Sequence, residues 1–115
     1  MTTYALAYLR NVEFGDAIID YLQRIDATLA PYGGRFLVHG GDLTAAEGTW
    51  DGDIVIIEFP DRASAEGWYE SPEYQAILPL RTEHSQSIAA LVDGVPAGYL
   101  ATDGLAALLE GAANG

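Results

Sequence analysis

The chain of 115 residues carries 17 acidic residues against five arginines and no lysine, a formal charge of −12, and half of it is hydrophobic. That length makes one domain with a modest core, and the charge excludes nucleic acid and anionic membrane surfaces, which require a basic footprint. Without lysine there is no side-chain Schiff base, and without cysteine no disulfide, thiol nucleophile or cysteine-ligated metal.

No apolar run approaches the roughly 20 residues of a membrane span. Met1-Thr2-Thr3-Tyr4 lacks a charged segment leading into an apolar one, so a cytoplasmic protein with no membrane partner is expected. The first strand reads from Thr3 to Arg10, with Tyr4, Leu6 and Tyr8 on one face and Ala5, Ala7 and Leu9 on the other. From Asp16 the apolar residues Ile18, Tyr21, Leu22, Ile25 and Leu29 recur at helical spacing, and Pro31-Tyr32-Gly33-Gly34 ends that helix. Arg35 to His39 is a short second strand in which strict alternation places Arg35, Leu37 and His39 opposite Phe36 and Val38.

Glu47 to Asp53 forms a loop with Trp50 packing at its edge, and Asp53 to Phe59 is apolar enough for a central strand. Two helical pieces follow Pro60, separated at Ser71-Pro72-Glu73, where serine caps the new helix and proline suits its first turn. Pro79 predicts a kink or restart. Gln86 to Val92 is the fourth strand, ended by Asp93-Gly94.

The order β-α-β-β-α-β is the ferredoxin-like pattern of the α+β class: an antiparallel four-stranded sheet with both helices on one face. Its open face, carrying Leu37, Ile54 and Ile56, is too apolar for water. Pairing two such sheets face to face predicts a homodimer with a hollow between them. Residues 95–115 form an extension beyond the 1–94 domain, with a short helix over Thr102–Glu110 that presents Leu105, Leu108 and Leu109 on one side. This piece reads as a flap on the sheet edge or the dimer partner, or as a lid on a cavity.

Tyr32-Gly33-Gly34-Arg35-Phe36, Gly40-Gly41, Glu47-Gly48 with Trp50, Glu58-Phe59-Pro60, Trp68-Tyr69, Ser71-Pro72-Glu73-Tyr74-Gln75 and Leu80-Arg81 together resemble the domain-of-unknown-function family numbered 1330. That family lies in the dimeric α/β-barrel superfamily, and the likeness spans about residues 3 to 94. The resemblance implies a ferredoxin-like protomer and a dimeric barrel. The wider superfamily holds cofactor-independent monooxygenases, haem-binding enzymes, isomerases, cyclases and plain binding proteins, so it names no reaction. His39 and the tail after Gly94 depart from the usual pattern.

Among residues able to do chemistry, His39 is a candidate acid or base, or a histidine satisfied by the backbone or at a dimer seam. Glu58 alternates with Ile54 and Ile56 and needs a cationic partner, Arg35 or Arg81. The two readings of that grouping are an ion pair locking strand to helix, and a glutamate base beside an arginine that holds a substrate carboxylate. Trp68, Tyr69 and Tyr74 read as core or as ligand walls, and Tyr8 as a buried tyrosine or one that orients a carbonyl. His84 reads as a solvated residue near a helix end.

No dinucleotide fingerprint, phosphate-binding loop or nucleophile elbow is present. No spacing makes His39, His84 and Glu58 a metal site, so neither metal nor cofactor is expected. The function these residues support is a small cofactor-independent enzyme of proton-transfer, isomerase, cyclase or monooxygenase type acting on a small organic acid or polyketide-like molecule. The alternative is a non-catalytic ligand-binding or accessory dimer.

Overall fold

Alternating side chains in Thr3–Arg10 and the β-branched run of Asp53–Phe59 supply the two central strands of a four-stranded antiparallel sheet. The structure, a computed structural model, describes residues 1–114. In chain order its elements are β1 (Thr3–Arg10), α1 (Asp16–Leu29), a single 3₁₀ turn (Ala30–Tyr32), β2 (Arg35–His39), β3 (Asp53–Phe59), α2 (Arg62–Glu70), α3 (Pro72–Thr82), β4 (Gln86–Asp93) and α4 (Ala101–Asn114). The strands lie in the order β2-β3-β1-β4, which leaves β2 and β4 as edges. This is the expected ferredoxin-like arrangement, with the second helix divided in two.

The division between α2 and α3 is built by one serine. Ser71 Oγ accepts from the amide of Tyr74 at 3.2 Å and donates to the carbonyl of Trp68 at 2.7 Å, so it caps one helix and closes the other. Asp61 caps α2 in the same way through the amide of Ser64 at 2.7 Å. α3 continues through Pro79 as one helix, where the sequence predicts a kink or restart. The missing proline amide there costs one bond in the last turns only.

Helices α1, α2 and α3 cover one face of the sheet. Between them lies a core centred on Phe59, Ile77, Leu29, Trp68 and Tyr74, all nearly inaccessible to solvent. Burying each of the aliphatic side chains contributes about 1.5–3 kcal/mol. Gly34 sits where the chain leaves the 3₁₀ turn and presses on that core. A Cβ at this position would lie 2.7 Å from the Phe59 ring and 2.8 Å from Leu29 Cδ2. Gly34→Ala is therefore expected to destabilise by about 1–3 kcal/mol through overpacking, read as a lower urea midpoint at unchanged m-value.

β2 departs from the alternation its sequence suggests. Phe36 pairs with Ile57, but the next pair is Val38 with Ile56, so Leu37 is a bulged residue with no partner. One extra residue reverses the phase of everything after it. Arg35 and Val38 thus share the open face, and His39 turns to the helix side, where its ring stacks on Phe36 at 4.7 Å. The predicted grouping of Arg35, Leu37 and His39 on one face is corrected accordingly.

Candidate functional site

Three alanines leave the site its room. Ala5 and Ala7 on β1 and Ala89 on β4 face the helix layer, and Ala7 and Ala89 are direct cross-strand partners. Opposite them α1 presents Ile18, Tyr21 and Ile25, and between these and the alanines a cavity of about 630 Å³ remains. Its size is that of a small-molecule site. This cavity lies inside the protomer, between sheet and helices, a place that the sequence reading, with its hollow between two paired sheets, does not name. It lies there because the smallest side chains of β1 are on its helix face.

The walls are aromatic and the polar groups few. Phe36, Trp68, Tyr69 and Tyr74 line the cavity together with Arg81. Trp68 is held by its indole N–H, which donates to Thr28 Oγ1 at 3.0 Å, and its ring lies 4.1 Å from that of Tyr74 between centroids. The Tyr21 and Tyr74 hydroxyls are hydrogen-bonded at 2.8 Å. His39, Gly40, Gly41 and Asp53 form an exposed mouth where β1 ends and β3 begins.

Arg81 is the unusual member. It is only 7% exposed, yet no carboxylate lies within ion-pair distance of it among the described residues. Its Nη1 donates to Ser87 Oγ at 2.6 Å. A guanidinium has five N–H donors in a planar fork; beside Ser87 this one meets the Tyr74 and Tyr21 hydroxyls, and no buried donor is left without a partner among the described residues. Burial works against its charge, but the oxygens of Tyr74 and Tyr21 more than offset that, and its pKa lies above the ordinary arginine value. Burial, reinforced by Tyr74, pushes the Tyr21 hydroxyl far above the ordinary phenol range against the opposing pull of Arg81. At neutral pH the inner site thus offers one fixed cation beside the neutral Tyr21 hydroxyl.

The predicted site residues divide between the two faces of the sheet. His39, Trp68, Tyr69, Tyr74 and Arg81 all line the cavity. Tyr8, Arg35 and Glu58 sit on the open face. Arg35 Nε meets Glu58 at 2.9 Å, so this glutamate pairs with the neighbouring strand and does not reach Arg81 or a helix. Tyr8 donates to Asp51 and packs edge-on against Trp50, with centroids 5.3 Å apart. That hydrogen bond raises the Tyr8 phenol pKa and lowers that of the Asp51 carboxyl. The pairing of His39 with Glu58 is therefore not formed within the protomer, because the bulge at Leu37 sends them to opposite sides.

His84 stays outside the cavity. Its backbone closes the end of α3, with the amide donating to the Arg81 carbonyl at 3.2 Å and the carbonyl accepting from Glu13 at 2.8 Å. Sequence reasoning missed the part played by Tyr21, Ser87 and the alanines. Tyr21 was visible as the one polar-tipped residue in the apolar stripe of α1.

Fold and cavity together define an α+β, ferredoxin-like domain with a helix-side pocket. The family described as "Domain of unknown function (DUF1330)" matches residues 2–95, and the chain belongs to it. No curated protein matches the chain. Among solved structures it is similar to methylated RPA0582 protein, with a TM-score of 0.63 and 18% identity over 85% of this chain and 84% of that one; RPA0582 is described as a protein of unknown function from Rhodopseudomonas palustris.

A dimeric ferredoxin-like protein of unknown function from Bacteroides fragilis aligns with a TM-score of 0.55 and 14% identity, covering 81% of this chain and 96% of that one. SnoaB, a cofactor-independent oxygenase from Streptomyces nogalater, aligns with a TM-score of 0.53 and 16% identity, covering 86% and 97%. At these identities the likeness concerns the fold. No helix among the described residues is long and apolar enough to cross a membrane.

Proposed function

We propose that the protein is a cytoplasmic homodimer that binds a small, flat, largely apolar organic acid in the helix-side cavity, with the acid's anionic oxygen on Arg81. The observation that carries this reading is a buried guanidinium that meets only hydroxyl oxygens and, among the described residues, no carboxylate, set in an apolar aromatic pocket. Burying an unpaired cation is costly, and a ligand carboxylate, enolate or phenolate would supply the missing partner by charge-assisted hydrogen bonds. Phe36, Trp68 and Tyr69 would flank its ring. His39, at the mouth, is the one imidazole positioned to exchange a proton with such a ligand.

The dimer follows from the open face of the sheet, where Ile88 is 72% exposed and Val92 44%, beside Leu6 and Val38. Tyr8, Arg35 and Glu58 would then belong to the seam between protomers. A second reading, a non-catalytic binding dimer, is favoured by one feature: Glu58 is not available to His39 as a partner in proton transfer.

Ala7→Leu tests the location. It puts a branched side chain on the cavity floor, so 2-naphthoate binding measured by calorimetry should be lost. The melting temperature should hold or rise, since filling a void commonly contributes about 0.5–2 kcal/mol. Undiminished binding by this variant would place the ligand elsewhere.

A further inference from the structure

The floor of the helix-side cavity is a single rung of the sheet. His39 on β2 pairs with Val55 on β3, Val55 with Ala7 on β1, and Ala7 with Ala89 on β4, and all four residues line the cavity. The hollow therefore crosses the sheet from one edge strand to the other, a distance of three strand spacings or about 14 Å. Its two ends differ in character. At the β4 end Arg81 donates to Ser87, which lies two residues from Ala89 on the same face of the strand, and the hydrogen-bonded Tyr21 and Tyr74 hydroxyls gather beside it. At the β2 end His39 is exposed, with its ring stacked on Phe36 at 4.7 Å between centroids. The floor between them, Val55, Ala7 and Ala89, is apolar.

The two ends suit different groups. The inner end holds a fixed, buried cation, which an anion matches by charge-assisted hydrogen bonds. The outer end is open to water and shares its rim with the exposed carboxylate of Asp53. That carboxylate repels a second anion, and so does the charge of −12 on the whole chain. A neutral hydroxyl meets no such repulsion, and it can donate to or accept from an imidazole nitrogen. A ligand that stops over Ala7 satisfies Arg81 and leaves His39 to water. One that continues along the rung meets both.

We infer that the ligand is an elongated monoacid with a neutral hydroxyl at the end remote from its anion. It lies across all four strands, the anion on Arg81 and the hydroxyl on a ring nitrogen of His39. His39 thereby selects for length and for the second oxygen. This rests on Arg81 as the anion's partner, as proposed above.

Two acids that differ by one oxygen provide the test. In 6-hydroxy-2-naphthoate the hydroxyl stands at the opposite end of the rings from the carboxylate, and 2-naphthoate lacks it. Calorimetry on the full chain should show the hydroxy acid binding about three- to tenfold more tightly, the effect of one added neutral hydrogen bond. His39→Phe keeps the stack on Phe36 but removes both ring nitrogens, and with this variant the two acids should bind alike. Because His39 is exposed at a strand end, the variant should melt with the unmodified protein. Equal affinities for the two acids in the unmodified protein, or a preference for the hydroxy acid that survives His39→Phe, would overturn the role of His39 and leave that of Arg81 standing. Failure of 2-naphthoate to bind the unmodified protein would overturn both.

Discussion

Arg81→Met should weaken binding of 2-naphthoate by one to two orders of magnitude and leave the fold intact. Methionine keeps the apolar stem but removes the charge and every donor. A hydrogen bond to a charged group contributes about 1.5–3 kcal/mol, so the loss in affinity is about 10- to 150-fold. Binding of 2-naphthalenemethanol, the same ring without the anion, should change far less. Stability moves the other way or not at all. Arg81 is 7% exposed and has no carboxylate partner among the described residues, so its replacement by an apolar group of similar volume removes a desolvation penalty and breaks no ion pair. Calorimetry with both ligands and a melting curve separate the two effects. Equal losses for acid and alcohol would mean that Arg81 shapes the cavity and does not read charge.

Trp68→Ala should produce the largest loss of stability of any single change at the site. The side chain is 3% exposed and touches the Phe59, Tyr69 and Tyr74 rings, while its N–H ties α2 to α1 through Thr28. Truncating a buried tryptophan costs about 3–5 kcal/mol, a large share of the 5–15 kcal/mol typical of a whole domain. The melting temperature should fall by about 10–25 °C, and ligand binding should go with it because Trp68 is a wall of the cavity. Trp68→Phe keeps an aromatic wall and should lose less than half as much. A drop under about 3 °C for the alanine variant would show that the aromatic cluster does not anchor α2.

The fold was legible because each element announced itself through a different signal. Period-two apolarity marked β1, helical spacing marked α1, and Ser71-Pro72 marked the break between α2 and α3. Half the site was legible too: Trp68, Tyr69, Tyr74 and Arg81 stand close in sequence, and the run from α2 through α3 brings them to one cavity. His39 reaches the same cavity although its predicted face was wrong. No glycine or proline flags the bulge at Leu37 that turns it inward, since Phe36-Leu37-Val38 reads as unbroken strand. The cavity itself gave little signal, because it is made by what Ala5, Ala7 and Ala89 lack. The separation of Glu58 from His39 depends on the same bulge, so a strand read by strict alternation joins two residues that the sheet divides.

The most direct measurement is a crystal structure of the protein soaked with 2-naphthoate. The ring should lie between α1 and the alanines of the sheet, with a carboxylate oxygen within hydrogen-bonding distance of the Arg81 guanidinium. Ligand bound instead between the sheets of two protomers, or against Arg35 on the open face, with the helix-side cavity holding only water, would contradict the account.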